Sequence, residues 1–452
     1  MIDSQVPHDF PDRNICILGL GFVGVTLATA MAEVGFQVTG VEIRDDVVAK
    51  LQSGSAHFFE PGLSIQLKKV IENGRLKVFN KIPEDCQATV FIITVGTPLD
   101  EHQKINLTSI QNISQDIGKR LKPGDLVILR STVKLGTTRS VVRETLKTAQ
   151  VNFEIAFCPE RTVEGQAMAE LRYLPQVIGA DSLATSVRAG HIFQFLTPTV
   201  LRVSDIETAE MIKLIDNTKR DVIFGFSNEV ARLCDASGLS AEEVISVGRF
   251  GYSRTDLPSP GPVGGPCLSK DSHILAQSVS AFGIVPEITL AARRVNETQP
   301  HEVVRFLKNL IQQNPQFPSK IKISLLGIAF KGKPATDDIR GTTAKPILEE
   351  FKKSFPMAEF FGFDPVVDPD AIQGFGLHPK TDAREVIVQS HLSLILNNHP
   401  FFASLPLEQW SKEMKGPSII YDFWNNFGRN LSLAPDIYYI ALGSHKFAKE
   451  IV

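Results

Sequence analysis

Residues 14–24 read NICILGLGFVG, and the fold turns on how that stretch is read. After Asn14 the run to Leu18 is apolar at every position, the composition of a strand buried on both faces. Glycines follow at 19, 21 and 24, and VTLATAMAEVG continues with helical periodicity. Strand, glycine turn and helix in that order form the context that a dinucleotide-binding loop needs. Gly19 permits the tight turn, Gly21 lets backbone N–H groups approach a pyrophosphate at the helix N-terminus, and Gly24 lets the helix lie close on the strand. Glu42 ends the next apolar run, VTGVE. An acid there accepts hydrogen bonds from a ribose and repels the 2′-phosphate of NADP, so NAD is the expected cofactor.

Further apolar runs, ATVFIITVG and DLVILRST, alternate with helical stretches over the first part of the chain, the pattern of a parallel, doubly wound sheet. From Ser204 the texture changes: SDIETAEMIKLIDNTKRDVIFGFSNEVARLCDASG keeps helical periodicity without a proline. Ser204 and Glu207 have capping-box spacing and predict where this long helix starts, Gly238 predicts its stop, and a second helix is expected near Ser240. After the linker-like NPQFPSK at 314–320 the alternation resumes with KISLLGIAF, AEFFGFDP, HLSLILNN, SIIYDFW and DIYYIALG. The expected fold is α/β, with two Rossmann-like doubly wound domains (1–203 and 314–452) joined by a central helical domain (204–313). The two α/β halves are too loosely similar to count as a sequence repeat.

The 452 residues exceed one ordinary core, and 43% hydrophobic residues can fill about two to three. A net charge of −3 gives no bulk attraction to nucleic acid or to an anionic membrane. The N-terminal MIDSQVPHDFPDRN lacks the basic and apolar regions of a signal peptide, and no apolar run reaches the ~18 residues of a membrane span. A soluble, cytoplasmic protein is expected. Cys16, Cys86, Cys158, Cys234 and Cys267 are odd in number and scattered, which argues against a disulfide framework and against structural zinc.

Two constellations invite a chemical reading. Lys213, Asn217 and Arg220 project from one face of the long helix. Such a stripe is ordinarily solvated, but Met211, Ile212, Leu214 and Ile215 around it predict an enclosed position. Residues 261–271, GPVGGPCLSKD, set Cys267 in a glycine- and proline-rich loop. The loop is either a turn around an inert buried thiol or a site in which Gly264 and Gly265 leave the sulfur accessible and the nearby Lys270 ammonium favours the thiolate. The residues alone leave both readings open.

The chain resembles the nucleotide-sugar 6-dehydrogenases, the UDP-glucose/GDP-mannose dehydrogenase family. The resemblance rests on GLGFVG, EPGL (60–63), TVGTPLD (94–100), RSTVKLGTT (130–138), CPERTVEG (158–165), KLIDNT (213–218), GPVGGPCLSKD and LLGIAFKGKPATDDIRG (325–341), in the family's order. It implies an NAD domain, a central domain that makes a homodimer contact, and a C-terminal domain that holds UDP. It also implies a four-electron oxidation of a sugar C6 alcohol to a carboxylate, serving polysaccharide biosynthesis. By the same resemblance Cys267 is the nucleophile that forms a thiohemiacetal and then a thioester, Lys213 and Asn217 stabilise oxyanions, Asp271 is the general base, and Glu164 and Thr132 hold the hydrolytic water. It assigns Phe22, Val23, Thr97, Thr132, Lys270 and Arg340 to the cofactor alongside the three glycines and Glu42. It assigns Glu160, Arg161, Arg220, Arg254, Gly264 and Lys331 to the nucleotide-sugar.

Arg161 and Arg220 resemble the N-acetylhexosamine branch (UDP-N-acetylmannosamine or UDP-N-acetylglucosamine), because enclosed arginines call for an acceptor such as an acetamido carbonyl. Glu164 instead matches glucose-specific members, which keeps UDP-glucose as an alternative substrate. FKGKPATDDIR is two residues longer than the common FKxxTDDxR, so Asp337 has no assigned role. A non-catalytic binding protein on the same fold is the alternative of another class, and the set Cys267, Lys213, Asn217 and Asp271 argues against it.

Overall fold

The computed structural model describes residues 5–428 and 431–446. Its first sheet contains β1 (Asn14–Leu18), β2 (Gln37–Val41), β3 (Leu76–Phe79), β4 (Val90–Ile93), β5 (Leu126–Leu129), β6 (Glu154–Phe157), β7 (Gln176–Ala180) and β8 (Val200–Arg202). The order is β3-β2-β1-β4-β5-β6-β7-β8, and every neighbouring pair is parallel except β6 with β7. Successive strand residues face opposite layers. Ile15 and Ile17 therefore join the core that holds Leu27, Ala28 and Met31, while Cys16 and Leu18 join the one that holds Ile117 and Val142. Both faces of β1 are covered, which is why its sequence is apolar without alternation. β3 has no such run: it is a short edge strand that alternates buried Leu76 and Val78 with exposed Lys77.

Helix α1 (Phe22–Val34) follows the glycine turn, and the long helix α2 (Ile206–Ser237) spans 32 residues. The expected cap of α2 is displaced by one residue. Asp205 Oδ1, and not Ser204, accepts the Thr208 N–H at 2.7 Å, and Glu207 pairs with Arg139 at 2.7 Å instead of closing a capping box. An aspartate at this position is as good an N-cap as serine and brings negative charge to the helix N-terminus. Ser240 caps α3 (Ala241–Arg249) by accepting from Glu243 N–H. α4 (Leu268–Ser280) and α5 (Glu287–Gln313) complete the central helices. A Cβ on Gly225 of α2 would lie 2.7 Å from Ala292 Cβ of α5, so the glycine allows these two helices to approach closely. Among the described residues no helix is long and apolar enough to cross a membrane.

The second sheet holds β9 (Lys322–Leu326), β10 (Glu359–Phe363), β11 (His378–Pro379), β12 (Leu392–Ile395), β13 (Ser418–Asp422) and β14 (Ile437–Ala441), all parallel, in the order β11-β10-β9-β12-β13-β14. This repeats the order of the first six strands. The likeness extends to single hydrogen bonds. Gly19, with φ +93°, donates to Val41 O at 2.8 Å, and Gly327, with φ +83°, donates to Phe363 O at 2.9 Å. Beyond each turn an acid at the end of the second strand accepts a loop N–H: Glu42 from Leu20 (3.0 Å) and Asp364 from Ala329 (3.0 Å). The halves are thus a structural repeat that their sequences do not display. By compactness the chain divides into one unit up to Asp216 with His273–Val285 and a second made of Asn217–Ser272 and the residues from Pro286 onward.

Candidate active site

In the first unit the glycine turn has the geometry of a phosphate cradle. A Cβ on Gly24 would lie 1.9 Å from Gly19 O, whereas one on Gly21 would meet nothing within 4 Å, so the backbone there faces open space. Glu42 is held at the loop by the N–H groups of Leu20 (3.0 Å to Oε2) and Arg44 (3.2 Å to Oε1). These features fit a dinucleotide, with room at Gly21 for the pyrophosphate and an acid at the end of β2 for a ribose. Phe22 stacks on Phe58 at 3.9 Å between centroids, and Val23 is half-buried beside it. Thr97 Oγ donates to Thr132 O at 2.6 Å, which ties the loop after β4 to the loop after β5.

The loop after β6 is organised by two residues to which no role was assigned from sequence, although each opens a quoted motif. Buried Arg130 donates to Glu160 Oε2 through Nε (3.1 Å) and Nη2 (2.7 Å), and through Nη1 to Cys158 O and Gln176 Oε1. Glu160 Oε1 in turn accepts the N–H groups of Arg161 and Thr162. Burial alone would raise the Glu160 pKa, but Arg130, the Thr162 N–H and the Lys213 ammonium outweigh it and hold the carboxyl below the usual range. Glu60 accepts the Gly165 N–H at 2.7 Å and so pins the far end of the same loop, next to half-buried Glu164.

The enclosure expected of Arg220 is corrected here, and Arg161 has a partner. Arg161 is paired with Asp216 at 2.8 Å, a partner supplied by the chain itself. On α2, Lys213 and Asn217 are buried as expected, but Arg220 is exposed, and the enclosed stripe continues through Asp221. Neither arginine therefore requires an acetamido carbonyl as its acceptor.

In the second unit Cys267 is exposed and directly precedes α4, whose Lys270 and Asp271 N–H groups donate to Cys267 O at 3.1 and 3.0 Å. Asp271 is buried. Its Oδ1 accepts from Lys270 Nζ at 2.7 Å and its Oδ2 from Asn217 Nδ2 at 2.6 Å. The Lys270 ammonium thus pairs with the Asp271 carboxylate.

A Cβ on Gly264 would lie 2.3 Å from Gly341 O, one on Gly265 (φ +93°) 2.4 Å from the Phe330 ring, and one on Gly261 2.6 Å from Trp424. These glycines are required by neighbouring backbone and rings, a reason the sequence did not offer. Beside them the Lys331 ammonium lies 5.4 Å from the Phe330 ring, and Arg340 folds back onto Asp338 at 2.7 Å. Arg254 is exposed, with its guanidinium 5.5 Å from the Tyr252 ring.

Two Rossmann-like sheets, the first opening on a glycine cradle with an acid at the end of its second strand, define an NAD-dependent dehydrogenase. The chain belongs to the UDP-glucose/GDP-mannose dehydrogenase family. The family's NAD binding domain matches residues 13–197, its central domain 207–298 and its UDP binding domain 324–429. The chain is 32% identical over 437 residues to the UDP-N-acetyl-D-mannosamine dehydrogenase of Pyrococcus horikoshii, covering 95% of this chain and 98% of the relative. It is 30% identical over 424 residues to the Yersinia pestis enzyme of the same name, covering 89% and 99%. A solved structure of UDP-D-ManNAc dehydrogenase from Pyrococcus horikoshii matches with a TM-score of 0.85 at 30% identity, over 96% of this chain and 100% of that one.

Proposed function

We propose that this enzyme oxidises the C6 hydroxyl of a UDP-N-acetylhexosamine, with UDP-N-acetyl-D-mannosamine as its preferred substrate, to the uronic acid through a covalent cysteine adduct. The observation that carries the chemistry is the exposed thiol of Cys267 at the start of α4, one turn before an Asp271 carboxylate held by Lys270 and Asn217. The choice of sugar rests on the relatives, since Arg161 and Arg220 no longer argue for it.

NAD⁺ supplies the hydride acceptor for each of two successive oxidations. In the chain's own part, the Lys213 ammonium and an Asn217 amide hydrogen stabilise negative charge on the C6 oxygen. The Cys267 thiolate adds to the aldehyde carbon and gives a thiohemiacetal, whose oxidation leaves a thioester. Asp271 takes a proton from the water that cleaves it, and Glu164 and Thr132 hold that water. The sum is alcohol, two NAD⁺ and water to carboxylate, two NADH and three protons, with the thiolate regenerated. Glu160 acts on this site by holding the 160–165 loop, because Arg130 and backbone N–H groups occupy its carboxylate. Lys331, Arg254 and the backbone at Gly264 serve the nucleotide-sugar, and Arg340 the cofactor.

The division 1–203, 204–313 and 314–452 assigns these tasks to a cofactor, a central and a nucleotide-sugar domain. The central segment exposes Phe226 (50%), Leu233 (62%), Val247 (68%) and Phe250 (89%). Apolar side chains at that exposure support burial against a second copy of the chain, in a homodimer or a higher homo-oligomer. The cytoplasm, where nucleotide-sugars are made, is the proposed location, and polysaccharide biosynthesis the use of the product.

The sugar is tested by direct competition of UDP-N-acetylmannosamine, UDP-N-acetylglucosamine and UDP-glucose, read as kcat/KM. UDP-N-acetylmannosamine should lead. A UDP-glucose lead of tenfold, about 1.4 kcal/mol of transition-state preference, would overturn the choice. Glu42 predicts the cofactor preference. Its carboxylate gains ribose hydroxyl hydrogen bonds with NAD⁺ and faces a 2′-phosphate dianion with NADP⁺, so kcat/KM should favour NAD⁺ by at least about 10²-fold. Equal values for the two cofactors would place ribose recognition elsewhere.

A further inference from the structure

We propose that Arg293, with Asp221 and Asn228, is the positioning device for Cys267, and that losing it lets the aldehyde intermediate escape. The inference rests on the reading of Cys267 as the nucleophile. Residues 261–267 belong to no helix or strand, and Pro262 and Pro266 have no N–H to donate. Carbonyls in such a buried loop need donors from outside it. Arg293 of α5, 2% exposed, reaches both ends of the segment: Nη2 donates to Val263 O within the loop at 3.3 Å and Nη1 to Leu268 O at the first residue of α4 at 2.8 Å. Those carbonyls flank Cys267, one residue after it and four before. Asn228 holds the start of the loop from both sides, donating to Gly261 O at 3.0 Å and accepting the Gly261 N–H at 2.9 Å.

A buried guanidinium needs a counter-charge. Asp221, fully buried, provides it at 2.8 Å and also accepts from Asn296 Nδ2 (2.8 Å) and Ser272 Oγ (2.7 Å). Asp221 stands one helical turn after Asn217, which holds Asp271. A single stripe of α2 thereby sets both groups, Asp271 through Asn217 and the Cys267 loop through Asp221 and Arg293. The planar fork bonds two carbonyls and a carboxylate at once, and a lysine at this position cannot reproduce that geometry.

A displacement of about 1 Å at a reacting atom slows its step by about 10²-fold. The first oxidation does not use the sulfur, whereas capture of the aldehyde does, so the defect should fall between the two hydride transfers. The experiment compares full-length Arg293→Lys and Cys267→Ala with the parent enzyme, using UDP-N-acetylmannosamine, NAD⁺ and semicarbazide as an aldehyde trap. For Arg293→Lys we expect an NADH to carboxylate ratio above two, a trapped aldehyde, kcat for carboxylate lower by at least about tenfold and KM for the nucleotide-sugar within about threefold. Guanidinium ion should partly restore Arg293→Ala and have no effect on Cys267→Ala.

A folded Arg293→Lys that keeps two NADH per carboxylate and yields no trapped aldehyde overturns the positioning role. Cys267→Ala that yields no aldehyde refutes the covalent reading itself. If the Arg293 variants do not fold, Asn228→Asp decides. It keeps the acceptor for Gly261 N–H and loses the donor to Gly261 O, so aldehyde leakage supports the proposal and its absence overturns it.

Discussion

Replacing Cys267 by serine should stop carboxylate production while leaving NAD⁺ and nucleotide-sugar binding nearly intact. The side chain is exposed at the start of α4, and serine differs from it by one atom, so the substitution changes little of the packing. A serine hydroxyl at neutral pH is almost wholly protonated and a poor nucleophile toward the aldehyde, and it cannot form the thioester that water readily cleaves. The loss in kcat should be at least about 10³-fold, the scale reached when a catalytic nucleophile is removed. The measurement is steady-state carboxylate formation beside equilibrium binding of the nucleotide-sugar. Near-normal turnover would exclude the covalent route.

Lys213→Ala should lower kcat by about 10²–10³ and change KM little, the signature of an oxyanion donor that matters most when charge has formed. Lys213 is buried, and its ammonium already acts on Glu160, so its charge has partly paid the desolvation that an oxyanion partner needs. The loss of a buried ammonium also leaves Glu160 with Arg130 and backbone donors alone, which still satisfy it. A large rise in KM at unchanged kcat would place Lys213 on a phosphate of the nucleotide instead.

Much of the site was legible because its signals are local. The turn at 19–24 follows from glycine spacing within a few residues, and Lys213 and Asn217 share a face because four residues make about one helical turn. The errors came where a local pattern had to be assigned a distant partner. Lys270 was read as a neighbour of the Cys267 thiol, and its bond to the buried Asp271 carboxylate was not foreseen. Arg220 was read as enclosed with Lys213 and Asn217 and is exposed. Ser204 was read as a cap, and the competing aspartate next to it took the Thr208 N–H.

The sequence by itself determined the fold class and the cofactor loop, since apolar runs, helical periodicity and glycine spacing record which face each residue must bury. It did not reveal that the second sheet repeats the first, because strand order and turn geometry can be kept by many apolar sequences. Nor did it reveal why Gly264 and Gly265 are glycines or what holds the Cys267 loop. Only the tertiary structure decided those points, by bringing Gly341 onto Gly265 (2.9 Å, N–H to O) and Arg293 onto Asp221 across 72 residues. Such contacts are set by how helices and sheets pack, and no periodicity along the chain encodes them.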